Sequence, residues 1–249
     1  AKELPVTSHI LSITYQQAYL DAFEQGYTDV INTTITSVGS NMFEAAVFGK
    51  RQFYKEHPEA EGKMNITVLD SGTYTLGYGY PIVEASKMIK AGRSAEEITA
   101  WLDDFYATVE IIFAAYSLEY ARKSGRIPAA SAFVGDVLGL RPIISIVDGV
   151  TTVVEKVRGD RNVVPHIVDY AYGRAVDKKA PTAVICGSVE QYGEDIYKAV
   201  AKKFGHAPKA RYLAGASIAI NSGPKVAGVI VRGEKRINTR AREQDFIRG

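Results

Sequence analysis

Only one cysteine, Cys186, occurs in the chain, so no internal disulfide can form and a reducing compartment suits it. Histidine is almost as scarce. His9, His57, His166 and His206 stand apart, none with a second His, a Cys or an acid at metal-ligand spacing, which argues against a zinc centre. No apolar run approaches the ~18 residues of a membrane span, and Ala1-Lys2-Glu3-Leu4-Pro5 does not read as a signal peptide. A large excess of either charge is also missing. The formal net charge is +2, and the segment 233–249 alone carries five basic side chains (Lys235, Arg236, Arg240, Arg242, Arg248) against three acidic ones. The body before it is therefore formally neutral, which argues against nucleic acid as the main ligand, because neutralising phosphates needs a concentrated basic surface. The basic tail itself reads as a solvated end.

Several catalytic signatures are absent as well. Gly187-Ser188 lacks the G-x-S-x-G of a hydrolase elbow. Gly72-Thr73-Tyr74-Thr75-Leu76-Gly77-Tyr78-Gly79 has neither dinucleotide-binding spacing nor a P-loop ending, and reads as a turn with close helix–sheet packing. Cys186 ends an apolar strand and reads as a small buried hydrophobe rather than a nucleophile.

What remains is an ordinary globular composition, 46% hydrophobic and 23% charged, in a chain long enough for one large or two modest domains. Strand and helix patterns alternate. Ser8 is a plausible N-cap for a first helix ending at Gly26; a strand over 29–35 and a helix over 42–57 follow. A strand at 66–69 precedes a helix near 82–91, and Ser94 with Glu97 makes a capping box for another helix. After about residue 110 the rhythm changes. A strand at 110–114 leads to a hairpin whose two-residue turn is Asp148-Gly149, then a helix at 163–176, strands at 182–186, 211–214 and 227–232, and a helix at 191–204. This order predicts an α/β protein of two α/β domains: residues 1–110 around a doubly wound, mostly parallel sheet, residues 111–232 around a smaller mixed sheet with helices, and 233–249 as the tail.

The β-branched run Asp29-Val30-Ile31-Asn32-Thr33-Thr34-Ile35 opens onto Thr36-Ser37-Val38-Gly39-Ser40-Asn41, just before a helix. In α/β sheets, ligands gather outside the carboxyl ends of strands, where helix N-termini offer free N–H groups. Thr7 and Ser8, Ser40, and the polar turn Asn221-Ser222-Gly223-Pro224 are three groups that could converge on one anion. Each alone suits turn or cap duty. Arg141 and Arg158 flank the hairpin and could supply a cation.

At this point the series of motifs resembles the DegV family of bacterial lipid-binding proteins. Pro5-Val6-Thr7-Ser8 is similar to the family's P-T-T-S, and Thr36-Ser37-Val38-Gly39-Ser40-Asn41-Met42-Phe43 to its S-S-x-L-S-G-T-Y. Val68-Leu69-Asp70-Ser71, Gly77-x-Gly79, Gly125-Arg126-Ile127, Arg141-Pro142-Ile143, Asp148-Gly149 and Lys156-Val157-Arg158 follow in the family's order. The resemblance implies two α/β domains holding one long-chain fatty acid between them, its acyl chain in an apolar tunnel. Its carboxylate would be held by Thr7 and Ser40, with Ser8, Asn41, Asn221 and Arg141 around it. It further implies a cytoplasmic, non-catalytic carrier with no cofactor and no stable membrane insertion. A separate fatty-acid kinase would make the acyl phosphate, docking at Arg158. Asn221 and Lys225 stand where the family has the first histidine and last glycine of H-x-G-P-G, and Asn41 and Met42 where it has Gly-Thr. Members open with a strand ending in D-S-T and a second strand; neither precedes Pro5, so a longer parent chain is expected. Two other readings of the same residues stay open: an esterase or acyltransferase using Ser40 as nucleophile, and a regulatory module for another anionic small molecule.

Overall fold

The computed structural model describes residues 5–131, 133, 139–237 and 239–246. Strand β1 (Asp29–Thr34) has β-branched side chains at four of its six positions, the composition that favours an extended, half-buried backbone. It pairs in parallel with β2 (Asn65–Asp70), Asp29 opposite Asn65 through Thr34 opposite Asp70. A parallel pair needs a crossover, and α2 (Met42–Glu56) supplies it. Helix α1 (Ser12–Glu24) and α2 cover one face, where Tyr15, Tyr19, Phe43, Val47 and Phe53 pack with Ile66 and Val68. Phe43 and Phe53 are wholly buried, and truncating a core Phe costs about 3–5 kcal/mol.

On the other face, Ile31 and Leu69 pack against a core that includes Leu76 and Tyr80 of α3 (Leu76–Lys90) and Ile98 and Leu102 of α4 (Ala95–Tyr106). The same core takes in Ile111, Phe113, Ile144, Ile185 and Ile230 from a second sheet. Helices α3 and α4 are thus a layer shared by both sheets. The second sheet has six strands: β3 (Val109–Ala115), β4 (Leu140–Val147), β5 (Val150–Arg158), β6 (Ala183–Cys186), β7 (Ala210–Leu213) and β8 (Val226–Arg232), in the order β5-β4-β3-β8-β6-β7. Only β6 and β7 run parallel. Every residue of β3 is buried, and its alternate side chains serve opposite faces. Ile112 and Ala114 pack with α7 (Val163–Arg174) and α8 (Glu190–Phe204) on the outer side. Short helices α5 (Glu119–Ser124), α6 (Pro128–Ser131) and α9 (Ala216–Ser222) complete the order.

The α/β class, the helices on both faces of the parallel pair, the mixed second sheet and the capping box are as the sequence led us to expect. Four details differ. The mixed sheet is the larger of the two, because β3 and β8, distant in sequence, pair at its centre and recruit strands on both sides. Helix α1 starts at Ser12, not just after Ser8, with Leu11 at its N-cap and no side-chain cap. Helix α3 starts at Leu76 rather than near Ile82, and its Gly77 lies so close to Thr73 that a Cβ there would collide with it, a tertiary fit that allows the glycine-rich stretch to be helical. The segment after β8 is not a solvated end. Arg236 bonds Asp148, Arg240 bonds Asp103, Glu243 bonds Lys50, and Phe246 lies edge-on to Phe43. Composition misses this because each partner lies far away in sequence.

Candidate anion-binding site

The carboxyl ends of β1 and β2 lie side by side and carry short polar side chains, as their parallel register requires. Ser71 N donates to Thr34 O (3.2 Å) and Thr36 N to Thr73 O (3.0 Å), tying the two post-strand loops together. Asp70 is buried between them. Its carboxylate accepts four hydrogen bonds: from Ser37 N (3.2 Å), Ser37 Oγ (2.6 Å), Gly72 N (2.9 Å) and Ala241 N (3.2 Å). It is a brace for these loops, its lone pairs already committed.

Ser40 stands where this braced loop enters α2. Its Oγ accepts from Met42 N (3.3 Å), which fixes the oxygen at the helix start. Among the described residues its own proton goes to no acceptor. Asn41, at the N-cap, adds no side-chain bond, so beyond Met42 N the first turn of α2 gains no side-chain cap from it, at the positive end of the helix dipole. Beside it, Tyr74 lies against Gly39 so closely that a Cβ there would collide with its hydroxyl. That hydroxyl reaches Gly149 O (3.4 Å). Asp148 and Gly149 both have positive φ (49° and 78°), the two-residue turn that the Asp-Gly pair favours, and Gly149 presses directly on Thr36. The hairpin of the large sheet thus closes over the loops of the small one.

Burial pushes the Tyr74 phenol above its usual value; the nearby Arg126 guanidinium opposes that rise and Asp70 adds to it. Arg126 is exposed and has no acid partner among the described residues. Arg126 is therefore a cation on the Tyr74 side of these loops that was not among the expected site residues, although Gly125-Arg126-Ile127 is one of the family-like motifs. Arg126 N donates to Ser124 Oγ (3.3 Å), and Ser124 Oγ in turn donates to Asn221 O (3.4 Å). Ser124 thus ties the backbone at Arg126 to the end of the helix that carries Asn221. The Asn221 amide itself donates to Ser217 O within its own helix (2.7 Å). Two hydroxyls nearby, Thr73 and Thr75, are buried without a partner, and Thr75 holds a left-handed backbone at φ 49°, a strained state for a β-branched residue.

Other expected site residues lie elsewhere or make no recorded bond here. Thr7 is half-buried and Ser8 exposed, and neither makes a recorded hydrogen bond among the described residues. Arg141 begins β4 and is bonded to Asp160 (2.9 Å), beside the stacked rings of Tyr116 and Tyr192. It is about 25 Å along the hairpin from Gly149, at some 3.3 Å per residue, so it is not a cation of this pocket; the partner that claims it comes from the turn after β5. Arg158 is exposed at that same far end. Cys186 is buried, as expected, and desolvation pushes its thiol above the usual value. No group of metal-ligating side chains occurs among the described residues, and none of their helices is long and apolar enough to cross a membrane. His57, at the other end of α2, is about 22 Å from Ser40 at 1.5 Å of rise per residue, and so cannot serve it as a base. Two surface hollows of about 440 and 480 Å³, one beside Tyr116 and Tyr192, the other between α4 and the β1–β2 pair, do not include Ser40.

The protein is thus a two-sheet α/β fold in which a serine hydroxyl with an uncommitted proton stands at a helix start, a donor of the kind an anion accepts from. The chain belongs to the DegV family, whose model, described as an uncharacterised protein family, matches residues 1–234. A DegV domain-containing protein of Caldanaerobacter subterraneus subsp. tengcongensis is 26% identical over 228 residues, covering 91% of this chain and 78% of that one. A stearic-acid-binding protein from Eubacterium ventriosum shares the fold at a TM-score of 0.79 and 24% identity, over 92% of this chain and 78% of the other. A DegV family protein from Eubacterium eligens, loaded with heptadecanoic acid, superposes with a TM-score of 0.78 at 18% identity, over 94% of this chain and 82% of its own.

Proposed function

We propose that this protein binds one long-chain fatty acid and presents its carboxylate to a separate kinase that makes the acyl phosphate. The observation that carries the binding reading is the Ser40 hydroxyl at the start of α2, whose oxygen is fixed by Met42 N and whose proton is uncommitted among the described residues. A carboxylate there would accept from Ser40 Oγ and the N–H groups of α2, with Thr7 as a further donor and Arg126 balancing its charge. The acyl chain is assigned to apolar surface left open on flanking elements, where Val38, Phe48, Ile82 and Val83 are exposed. Each buried CH₂ stabilises the complex by roughly 0.8 kcal/mol, so the chain supplies most of the affinity and the head group mainly orientation. That fatty acids are bound by structural relatives supports the choice of ligand.

Reaction at Ser40 itself is disfavoured, because among the described residues no histidine is hydrogen-bonded to it and Asp70 is committed to four donors. The kinase step accordingly belongs to a partner, for which Arg158 offers an exposed cation at the far end of the hairpin. Calorimetric titration with oleate tests the binding half; no heat and no competition by palmitate would overturn it. Hydroxylamine trapping of acyl phosphate, with a fatty-acid kinase and ATP added, tests the second half. If Arg158→Ala leaves that yield unchanged, Arg158 is not the docking residue.

A further inference from the structure

After β8 the chain returns from the large sheet to the small one. Residues 235–246, of which 238 lies outside the described set, fall beyond the residues that the family model matches. Their contacts form a series that crosses the junction. Arg236 is anchored on the large-sheet side, its Nε donating to Asp148 Oδ1 (2.8 Å) and its Nη2 to Val109 O (2.9 Å). Arg240 comes next. It donates through Nη2 to Asp103 Oδ1 on α4 (2.6 Å) and through Nη1 to Asp70 O (3.3 Å), with its stem against Gly72. Ala241 N donates to the Asp70 carboxylate (3.2 Å). Glu243 then takes a backbone donor from the middle of β2, Val68 N (2.7 Å), and pairs with Lys50 on α2 (2.6 Å). Phe246 ends the run against Phe43, at 5.6 Å between ring centres, while its carbonyl accepts from Arg51.

Two of these anchor points are already part of the pocket. Asp148 belongs to the turn that presses on Thr36, and Asp70 fixes Ser37 in the loop leading to Ser40. The Val68 bond also shows the segment lying over the outer edge of β2, where an uncovered strand would expose unpaired backbone groups. We propose that residues 235–246 are a strap that holds the two-stranded sheet against the six-stranded one and sets how readily the pocket around Ser40 opens. The mechanical half stands on these contacts alone; the part concerning ligand release rests on the fatty-acid reading.

The test uses the full chain carrying Arg240→Ala together with Glu243→Ala, beside the unaltered protein. Amide hydrogen exchange without ligand should rise about tenfold or more at Val68 and also at Thr36 and Ser37, the loop on the pocket side. Release of cis-parinaric acid, followed by stopped-flow fluorescence, should quicken by a similar factor. Faster exchange confined to Val68 and the tail, with Thr36, Ser37 and the release rate unchanged, would reduce the segment to an edge cover and overturn the strap. If the unaltered protein binds no parinaric acid, the fatty-acid reading fails, and exchange at Thr36 and Ser37 still decides the strap. Arg240→Lys, which keeps the charge but not the forked hydrogen bonds, should shift both readouts in the same direction by less, and decides the matter if the double variant does not fold.

Discussion

Ser40 is useful because only half of its hydrogen-bonding capacity is spent. Met42 N holds the oxygen, and the proton is left for something else. A hydrogen bond to a charged group contributes about 1.5–3 kcal/mol, so Ser40→Ala should weaken oleate binding by roughly 10- to 100-fold in calorimetry. Denaturation midpoints should move little, because Ser40 makes one local bond. Phe48 is the matching test of the apolar side. It is exposed on α2, and Phe48→Asp should weaken binding by roughly tenfold or more while leaving the fold intact. Arg174 tests the core instead. It grips the buried Glu110 with two hydrogen bonds, at 2.8 and 2.6 Å. Arg174→Ala would strand that carboxylate and lower stability by about 2–3 kcal/mol in urea denaturation. At this scale the sequence was informative only where the signal was local. Ser40 stands out because it precedes a helix. The role of Arg141 is set by Asp160, a partner that no local pattern reveals.

Among the elements, caps and turns were legible for the same reason, while the starts of α1 and α3 were not. The Ser94–Glu97 capping box is present as read, with Glu97 N bonded to Ser94 Oγ and Ser94 N to Glu97 Oε2. Ser94→Ala should therefore cost about 1 kcal/mol, measurable as a lower denaturation midpoint with an unchanged slope. Asp148-Gly149 forms the hairpin turn because both residues hold the positive φ that this pair tolerates. Helix α3 shows where local reading stopped. The glycines and tyrosines before Pro81 look like a turn, but from Leu76 onward they are helical, with Gly77 packed against Thr73 and Ile111. Propensity is a weak prior, and tertiary packing overrode it there.

Strand order and the return of the tail belong to the whole molecule, and neither was legible. Both depend on pairings between segments separated by most of the chain, such as β3 with β8 or Glu243 with Val68. The tyrosines buried on both faces of the small sheet have a consequence for pH. Burial pushes the phenols of Tyr15 and Tyr80 up to about 12 from 10.0, and raises Tyr19 and Tyr106 further. A raised folded value means that the unfolded chain loses these protons first. The stability these groups contribute is complete below pH 10 and is lost as pH rises from about 10 towards 12. Chemical denaturation across that range should show a falling midpoint, with ultraviolet absorbance reporting tyrosinate on unfolding. A flat alkaline limb would mean that these rings are more accessible than the packing indicates.

The central claim is that one long-chain fatty acid is held through Ser40. Native mass spectrometry after incubation with oleate and palmitate tests it most directly. The account predicts one fatty acid per chain in the unaltered protein and clearly lower occupancy in Ser40→Ala. Absence of bound lipid from the unaltered protein, or equal occupancy in both, would contradict it.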